Sequence, residues 1–174
     1  MIVIYILLGL IVALLAGAAL MPATYNVEKS TVIKKPVKEV MNYIGDLNRY
    51  RDWNPWAKME PAARSTITGA PLSPGHKYEW TGKKIGTGSL TFLSADDQHI
   101  HFDLEFLKPW KAKAKDNWLF EPWGDGNETK VTWQNSGDLA WPIARLMGPM
   151  INKNLNHQFD QGLANLKNAV EGSL

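Results

Sequence analysis

The sequence predicts an α+β fold in which a long C-terminal α-helix covers one face of an antiparallel β-sheet, behind an apolar N-terminal segment. Six segments in the middle of the chain alternate between apolar and polar residues, which is typical of strands with one wet face. Residues 141–174 carry an apolar stripe at helical spacing, and residues 1–21 contain no charged side chain. Because a one-sided sheet must bury its apolar face, we expect the C-terminal helix, the only element long enough, to cover it.

Composition narrows the classes of function. The chain has 174 residues, enough for one domain with a sizeable core after the apolar start. A net charge of +2 is too mild for a nucleic-acid-binding protein, so no nucleic-acid partner is expected. The chain contains no cysteine, which excludes disulfides, thiolate metal sites and cysteine nucleophiles. Its eight tryptophans indicate either an aromatic core or a cavity lined with rings.

Residues 1–22 are predicted to be a transmembrane anchor, and residues 23–174 the folded domain. A helix of this length, at about 1.5 Å per residue, crosses a hydrocarbon core of roughly 30 Å. A cleaved signal peptide, with Ala16-Gly17-Ala18 as its small-residue site, is the competing interpretation, and a buried core helix is a third. The retained anchor is favoured, because no Lys or Arg precedes the apolar run and the run is longer than a usual signal core.

The charges that flank this segment predict its orientation. Lysines follow it closely and none precedes it, so the positive-inside rule favours a cytoplasmic domain. These lysines are Lys29, Lys34, Lys35 and Lys38.

The domain is predicted to begin with a strand over residues 23–35, a helix from Pro36 to Asp46 and a short helical turn over residues 47–53. Pro55 disfavours a helical conformation at Asn54, which predicts the start of a loop. The six alternating segments are residues 64–69, 76–81, 86–94, 99–107, 111–121 and 128–136. Turn-rich sequences separate most of them and predict serial hairpins.

The C-terminal helix is predicted in two pieces. Pro149 follows Gly148 and predicts a bend or break, which leaves a lead-in over residues 142–147 and a main helix over residues 149–170. Gly148 and Gly162 lie on the apolar stripe, although glycine costs about 1 kcal/mol in a helix interior. A glycine on that stripe lets another surface approach, or leaves room beneath the helix for a ligand.

Several motifs lie along residues 24–171. They are Ile33-Lys34-Lys35-Pro36-Val37-Lys38-Glu39-Val40, Trp53-Asn54-Pro55-Trp56, Gly75-His76-Lys77-Tyr78-Glu79-Trp80, Gly86-Thr87-Gly88, Thr129-Lys130-Val131-Thr132-Trp133 and Phe159-Asp160-Gln161-Gly162-Leu163. Together they resemble the SRPBCC (START-like, helix-grip) superfamily, and within it the membrane-anchored branch described as polyketide cyclase or dehydrase. The resemblance implies a helix-grip fold, a curved sheet wrapped around the C-terminal helix with a cavity between them. That superfamily uses the cavity for lipids, hormones and polyketides and only sometimes for catalysis, so the resemblance is weak for function.

The predicted ligand-binding residues are large side chains on the inner faces of the sheet and helix. They are Trp80, Phe102, Trp118, Trp133, Leu155 and Phe159. The same residues would also form a solid core, and both interpretations stay open.

Asp116 is the one candidate catalytic residue, and a weak one. It lies between Ala114 and Trp118 on the inward face of its segment, where desolvation would raise its pKa and suit a general acid or a ligand anchor. The favoured interpretation is nevertheless a local bulge that turns Asp116 outward toward a lysine, since a one-residue slip reverses every face. Asn135 and Asn154 are further candidates for polar ligand contacts, although hydrogen bonds to the backbone are the favoured interpretation.

No cofactor and no metal are expected. His99, His101 and Asp103 share one strand face, but it is the solvent face and no second set of donors lies nearby. No glycine-rich phosphate loop and no serine nucleophile elbow occur. The basic stripe of Lys111, Lys113 and Lys115 is expected to pair with acidic residues across a hairpin.

These observations favour a non-enzymatic domain that binds a small hydrophobic or amphipathic ligand, such as a lipid, at the membrane. Two alternatives stay open. One is a polyketide cyclase or dehydratase with Asp116 as the acid, and the other is a structural or interaction domain with a filled core. The sequence names no protein partner.

Overall fold

A computed structural model describes residues 1–172, in which seven strands form one antiparallel sheet of order β1-β7-β6-β5-β4-β3-β2. The strands are β1 (Thr24–Ile33), β2 (Arg64–Thr68), β3 (Lys77–Thr81), β4 (Thr87–Ala95), β5 (His99–Lys108), β6 (Ala112–Trp123) and β7 (Glu128–Asp138). The helices are α1 (Ile2–Leu20), α2 (Val37–Gly45), α3 (Tyr50–Trp53), α4 (Pro55–Met59) and α5 (Ile143–Gly172), with a 3-10 turn at Leu47–Arg49. The predicted α+β order and helix-grip architecture are confirmed.

Alternation along the strands determines which face of the sheet is buried. In β5, Ile100 and Phe102 are buried on the inner face, while His99 and His101 lie on the outer face. The buried residues of the sheet form one apolar core with those of α2, α3 and α5. The inner face is therefore covered by α5 together with the helices between β1 and β2, and not by α5 alone.

Two predictions about proline residues are wrong. The expected separate lead-in is absent from the described chain, because α5 is one helix with Pro149 inside it. The proline removes a single N–H donor, while about six turns follow it and bury residues such as Phe159 and Leu166 against the core. Asn54 has the expected non-helical backbone, with ψ of 120°, but α4 and not a loop follows it. Pro55 suits the first turn of a helix, and Asn54 Oδ1 caps α4 by accepting from Trp56 N–H at 2.9 Å.

α1 projects from the domain and contacts it through its last turn. Ala18 is the only one of its residues that is buried, and α1 packs there against α5. The helix has a mean hydropathy of 2.8 and is long enough to cross a membrane. Both a membrane anchor and a signal sequence have these properties, whereas a core helix would be mostly buried.

Candidate functional site

A pocket of about 240 Å³ lies between the inner face of the sheet, α4 and α5. Its walls are mostly apolar and aromatic, with a few polar groups. The lining residues are Tyr25, Tyr50, Asn54, Trp56, Ala57, Tyr78, Trp80, Ile85, Leu104, Phe106, Asp116, Trp133, Asn135, Leu155 and Phe159.

Four of the six predicted ligand-binding residues line this pocket, namely Trp80, Trp133, Leu155 and Phe159. The other two lie on the same face of the sheet but are packed in the core. Phe102 contacts Phe92 edge to face, with ring centroids 5.5 Å apart, and Trp118 stacks on Trp133 with centroids 4.7 Å apart. Alternation along the strands places the sheet residues of this set on the inner face. It does not determine which part of that face borders the pocket.

Asp116 points inward, so the favoured prediction of an outward-turning bulge is wrong. The register of β6 is continuous with both neighbours, pairing Asp116 with Phe102 on β5 and with Asn135 on β7. With no slip in the ladder, Asp116 keeps the inward orientation that Ala114 and Trp118 share. The lysines of β6 remain outside, where Lys113 pairs with Glu105 at 3.7 Å as predicted.

Three neutral donors surround the Asp116 carboxyl group. Its Oδ1 accepts from Trp118 Nε1 at 2.9 Å, and its Oδ2 accepts from Trp133 Nε1 at 2.8 Å and from Asn135 Nδ2 at 3.1 Å. These hydrogen bonds make the burial of a carboxyl group tolerable. No cation lies among its hydrogen-bond partners in residues 1–172.

Burial dominates the electrostatics of this group. Desolvation disfavours the charged form and raises the pKa of Asp116 from 3.8 to about 6, although the hydrogen bonds from Trp133, Asn135 and Trp118 act in the opposite direction. A carboxyl group with a pKa near 6 exchanges its proton within the physiological range. It can therefore donate a hydrogen bond when protonated and accept one when ionised.

Tyr25 extends the network along the pocket wall. Its hydroxyl donates to Asn135 Oδ1 at 2.8 Å, and this bond orients the amide so that Nδ2 faces Asp116. Burial, with a smaller effect from Asp116, raises the pKa of Tyr25 to about 12, so the hydroxyl stays protonated. Asn135 thus contacts side chains, contrary to the favoured backbone interpretation, whereas Asn154 is exposed on α5.

The space beside Gly162 is filled by a side chain of the protein and not left open for a ligand. A Cβ atom at this position would lie 2.8 Å from a ring carbon of Trp133 and 3.3 Å from Cδ of Pro55. The Trp133 ring also stacks on Phe159, with centroids 3.8 Å apart. The missing side chain at Gly162 therefore lets Trp133 pack directly under α5, beside the pocket.

The helices between β1 and β2 contribute wall residues that strand alternation could not identify. Tyr50, Trp56 and Ala57 line the pocket from α3 and α4, and Asn54 joins these two helices. The aromatic pairs Tyr50–Trp53 and Trp53–Trp133 connect this layer to the sheet. The only sequence signal was the density of aromatic residues around the Trp53-Asn54-Pro55-Trp56 motif.

The histidines on the outer face of β5 have protein partners. His99 Nδ1 lies 2.9 Å from Asp96 Oδ1, and His101 Nδ1 lies 2.8 Å from Asn117 Oδ1. His76 is fully buried, where its Nε2 accepts from the Leu47 N–H at 3.0 Å.

Residues 24–171 match the family described as polyketide cyclase / dehydrase and lipid transport. The chain belongs to this family. No curated protein matches it.

Solved structures share the fold of this family member at low sequence identity. Protein MLL2253 from Mesorhizobium loti is similar over 86% of this chain and 99% of its own, with 11% identity and a TM-score of 0.63. TTHA0849 from Thermus thermophilus is similar over 86% of this chain and 99% of its own, with 16% identity and a TM-score of 0.62. DynU16, a protein in the dynemicin biosynthetic locus, is similar over 84% of this chain and 47% of its own, with 15% identity and a TM-score of 0.56. At these identities the similarity extends to the fold alone.

Proposed function

We propose that the pocket binds a small, mostly apolar molecule that carries one polar group, at the membrane in which α1 is retained as an anchor. The observation that supports this best is Asp116, a buried carboxyl group on the wall of an otherwise largely aromatic pocket. Apolar walls with a few convergent polar groups are the usual composition of a small-molecule site. The pocket also favours binding over a structural domain with a filled core.

The size of the pocket limits the ligand. Its volume of about 240 Å³ lies below the range of roughly 300–1,000 Å³ that is usual for pockets of drug-sized ligands. This volume suits a one- or two-ring molecule, or one end of a longer amphipathic chain such as a lipid. The half-buried rings of Trp56 and Trp80, which line the pocket, offer surfaces to an aromatic or alicyclic body.

The polar group of the ligand is expected to meet the network of Asp116, Asn135 and Tyr25. Above its pKa of about 6, Asp116 is an acceptor, so a ligand hydroxyl would donate to it. A ligand carboxylate would be repelled by the ionised form and tolerated by the protonated form. An alcohol or phenol, which donates a hydrogen bond and carries no negative charge, therefore suits this group near neutral pH better than a carboxylate.

Equilibrium dialysis of the detergent-purified chain against 2-naphthol, naphthalene and 2-naphthoate tests this proposal. At pH 7 we expect 2-naphthol to bind most tightly, and we expect 2-naphthoate to gain affinity as the pH falls below 6 and Asp116 takes up a proton. Leu155→Trp, which places a large ring on the pocket wall, should abolish binding. Leu93→Trp, on an exposed part of β4, is the matched control and should not.

Failure of all three compounds to bind would argue against the pocket as a site for small aromatic ligands. Equal affinities that do not change with pH would argue against the role of Asp116. The two outcomes are separable, because the first concerns the apolar walls and the second concerns the polar network.

A second candidate function is an acid-catalysed reaction in the same pocket, and the pKa of Asp116 favours it specifically. A carboxyl group with a pKa of about 6 can protonate a departing hydroxyl group and take back a proton from carbon, as a dehydratase or cyclase of polyketide-like substrates requires. Asp116→Asn separates the candidates. Retained ligand binding with lost turnover would support the enzyme, whereas the absence of turnover in the wild type leaves the binding function.

A further inference from the structure

The turns at one end of the sheet share a composition that the pocket does not explain. Two of them, between β3 and β4 and between β5 and β6, contain Gly82-Lys83-Lys84-Ile85 and Lys108-Pro109-Trp110-Lys111. Trp110 is 72% exposed, and Leu107, near the end of β5, is 44% exposed. An exposed tryptophan flanked by lysines is typical of a protein segment at a membrane–water interface.

Strand register places these turns at the end of the sheet where α1 joins it. β1 begins at this end, because Thr24 pairs with Asp138 at the end of β7. Phe106 pairs with Ala112 and Thr87 pairs with Lys108, which brings both lysine-containing turns to the same end. The chain between β7 and α5 also lies here, because the Leu139 N–H donates to Ala23 O at 2.7 Å.

α1 fixes the distance of this end from a bilayer. Only residues 21–23 separate α1 from β1, and four Cα–Cα steps span at most about 14 Å. When α1 crosses the membrane, its C-terminal end lies at the interface, and the start of β1 cannot be far from it. Two large apolar side chains near the start of α5 are exposed at this junction, Trp141 at 53% and Ile143 at 66%.

The hairpin turns at the two ends of the sheet differ in charge. The far hairpin turns contain Asp96, Asp97 and Asp125, and all three carboxylates are exposed, although the connection after β1 at the same end carries the exposed Lys34 and Lys38. The near turns contain Lys83, Lys84, Lys108 and Lys111, and all four ammonium groups are on exposed residues. The acidic residues at the near end are Glu60, which accepts from backbone N–H groups of the first turn, Glu105, which pairs with Lys113, and the exposed Asp138.

We infer that the near end of the sheet docks on the surface of an anionic lipid bilayer, the same bilayer that α1 enters. We call this docking surface the basic end, formed by residues 82–85, 107–111 and 141–143. Its lysines complement anionic headgroups, and its exposed tryptophans and aliphatic residues suit the interfacial layer. The inference rests on the proposed membrane anchoring by α1. It extends that proposal by defining which surface of the domain faces the lipid.

Docking in this orientation connects the bilayer to the pocket. Ile85 lines the pocket and directly follows Lys84, and Phe106 lines it and directly precedes Leu107. The basic end and the pocket wall are thus continuous along the chain at two places, the turn between β3 and β4 and the end of β5. A ligand dissolved in the interfacial layer would therefore have a short route to the pocket.

The natural absence of cysteine makes a direct test possible in the full chain. Single cysteines at Leu107 and Ile143 in the basic end, at Asn127 in the far end and at Gly9 in α1 would each carry a nitroxide spin label. The labelled chains are reconstituted in vesicles of phosphatidylcholine and phosphatidylglycerol. Collision of each label with oxygen, which concentrates in lipid, is compared with collision with a water-soluble nickel chelate by power-saturation EPR.

We expect labels at 9, 107 and 143 to favour oxygen several-fold over the nickel chelate, and the label at 127 to favour the chelate. One result would overturn the docking surface and leave the anchor intact. In that result the label at 9 lies in lipid, while the labels at 107 and 143 are as accessible to the nickel chelate as the label at 127. A label at 9 in water would overturn the anchor and the docking surface together. Ligand binding in the pocket is measured separately, by dialysis, so its failure is distinguishable from both.

Charge is tested in the same system. Lys108→Glu combined with Lys111→Glu, in the chain labelled at 107, should raise nickel accessibility several-fold in the anionic vesicles. The chain labelled at 107 that keeps both lysines should show a similar rise in nickel accessibility when the vesicles contain phosphatidylcholine alone. If neither change moves the label at 107, the attraction to anionic lipid is refuted.

Discussion

The buried carboxyl group of Asp116 makes a quantitative prediction about stability. In the folded chain its pKa is about 6, against 3.8 for an unperturbed aspartate. Between these values the folded state binds more protons than the unfolded state, so raising the pH favours unfolding. A shift of about two pKa units corresponds to roughly 3 kcal/mol, which is fully present below pH ~4 and lost as the pH rises through 6.

Asp116→Asn isolates this contribution, because the amide does not titrate. One of the three donors around the carboxyl group would face the new amide N–H₂ and lose its acceptor, at a cost of about 1–3 kcal/mol. At pH 4 the variant should therefore be less stable than the wild type by that amount. At pH 7 it should equal or exceed the wild type, because only the wild type then holds a buried charge.

Urea unfolding of the full chain in mild detergent, followed by tryptophan fluorescence at pH 4, 5, 6 and 7, measures this difference. Asp125→Asn is the control. Hydrogen bonds from Asn127 lower the pKa of that exposed carboxyl group from 3.8, so its stabilising contribution is lost only as the pH falls below that value, and the difference should stay nearly flat from pH 5 to 7. A difference between the wild type and Asp116→Asn that is constant or grows from pH 4 to 7 would refute the buried, neutral carboxyl group.

Two pairs of substitutions test the packing under α5 and the buried hydrogen bonds of His76. Gly162→Ala should lower the free energy of unfolding by about 1–2 kcal/mol, since its Cβ would overlap the buried Trp133 ring. At Gly148 the atom nearest to an added Cβ is the flexible end of the Leu139 side chain, at 3.0 Å. Gly148→Ala should therefore raise the free energy of unfolding by up to ~1 kcal/mol through helix propensity. Equal effects at both glycines would contradict this difference in packing. His76→Ala should cost about 2–5 kcal/mol, because buried backbone groups lose their partner, and thermal unfolding should show no comparable loss for the exposed His157→Ala.

Strand alternation was sufficient to predict the sheet and the inward position of Asp116. The inward orientation was not favoured, because a one-residue slip reverses every face and would turn Asp116 outward toward a lysine. The donors that make burial of the carboxyl group tolerable come from Trp133 and Asn135 on β7 as well as from Trp118 on its own strand. Which residue of β7 pairs with Asp116 depends on the register of the ladder, and that register is a property of the folded sheet.

The pocket wall could be predicted only in part, for a related reason. Trp80 and Trp133 follow from alternation, and Leu155 and Phe159 follow from the helical stripe. The contribution of Trp56 depends on how α4 packs against α5, and local sequence does not determine that contact. Pro149 shows the same limitation, since tertiary packing along α5 outweighs the local preference of proline for a helix end.

Native mass spectrometry of the detergent-purified chain tests the proposed binding function most directly. We expect the wild type and Leu93→Trp to retain a small organic molecule, or to take up 2-naphthol at a ratio of one to one. The Leu155→Trp variant should be detected without a bound molecule under the same conditions. An unliganded wild type that takes up no added compound, or a Leu155→Trp variant that binds as well as the wild type, would contradict the binding function.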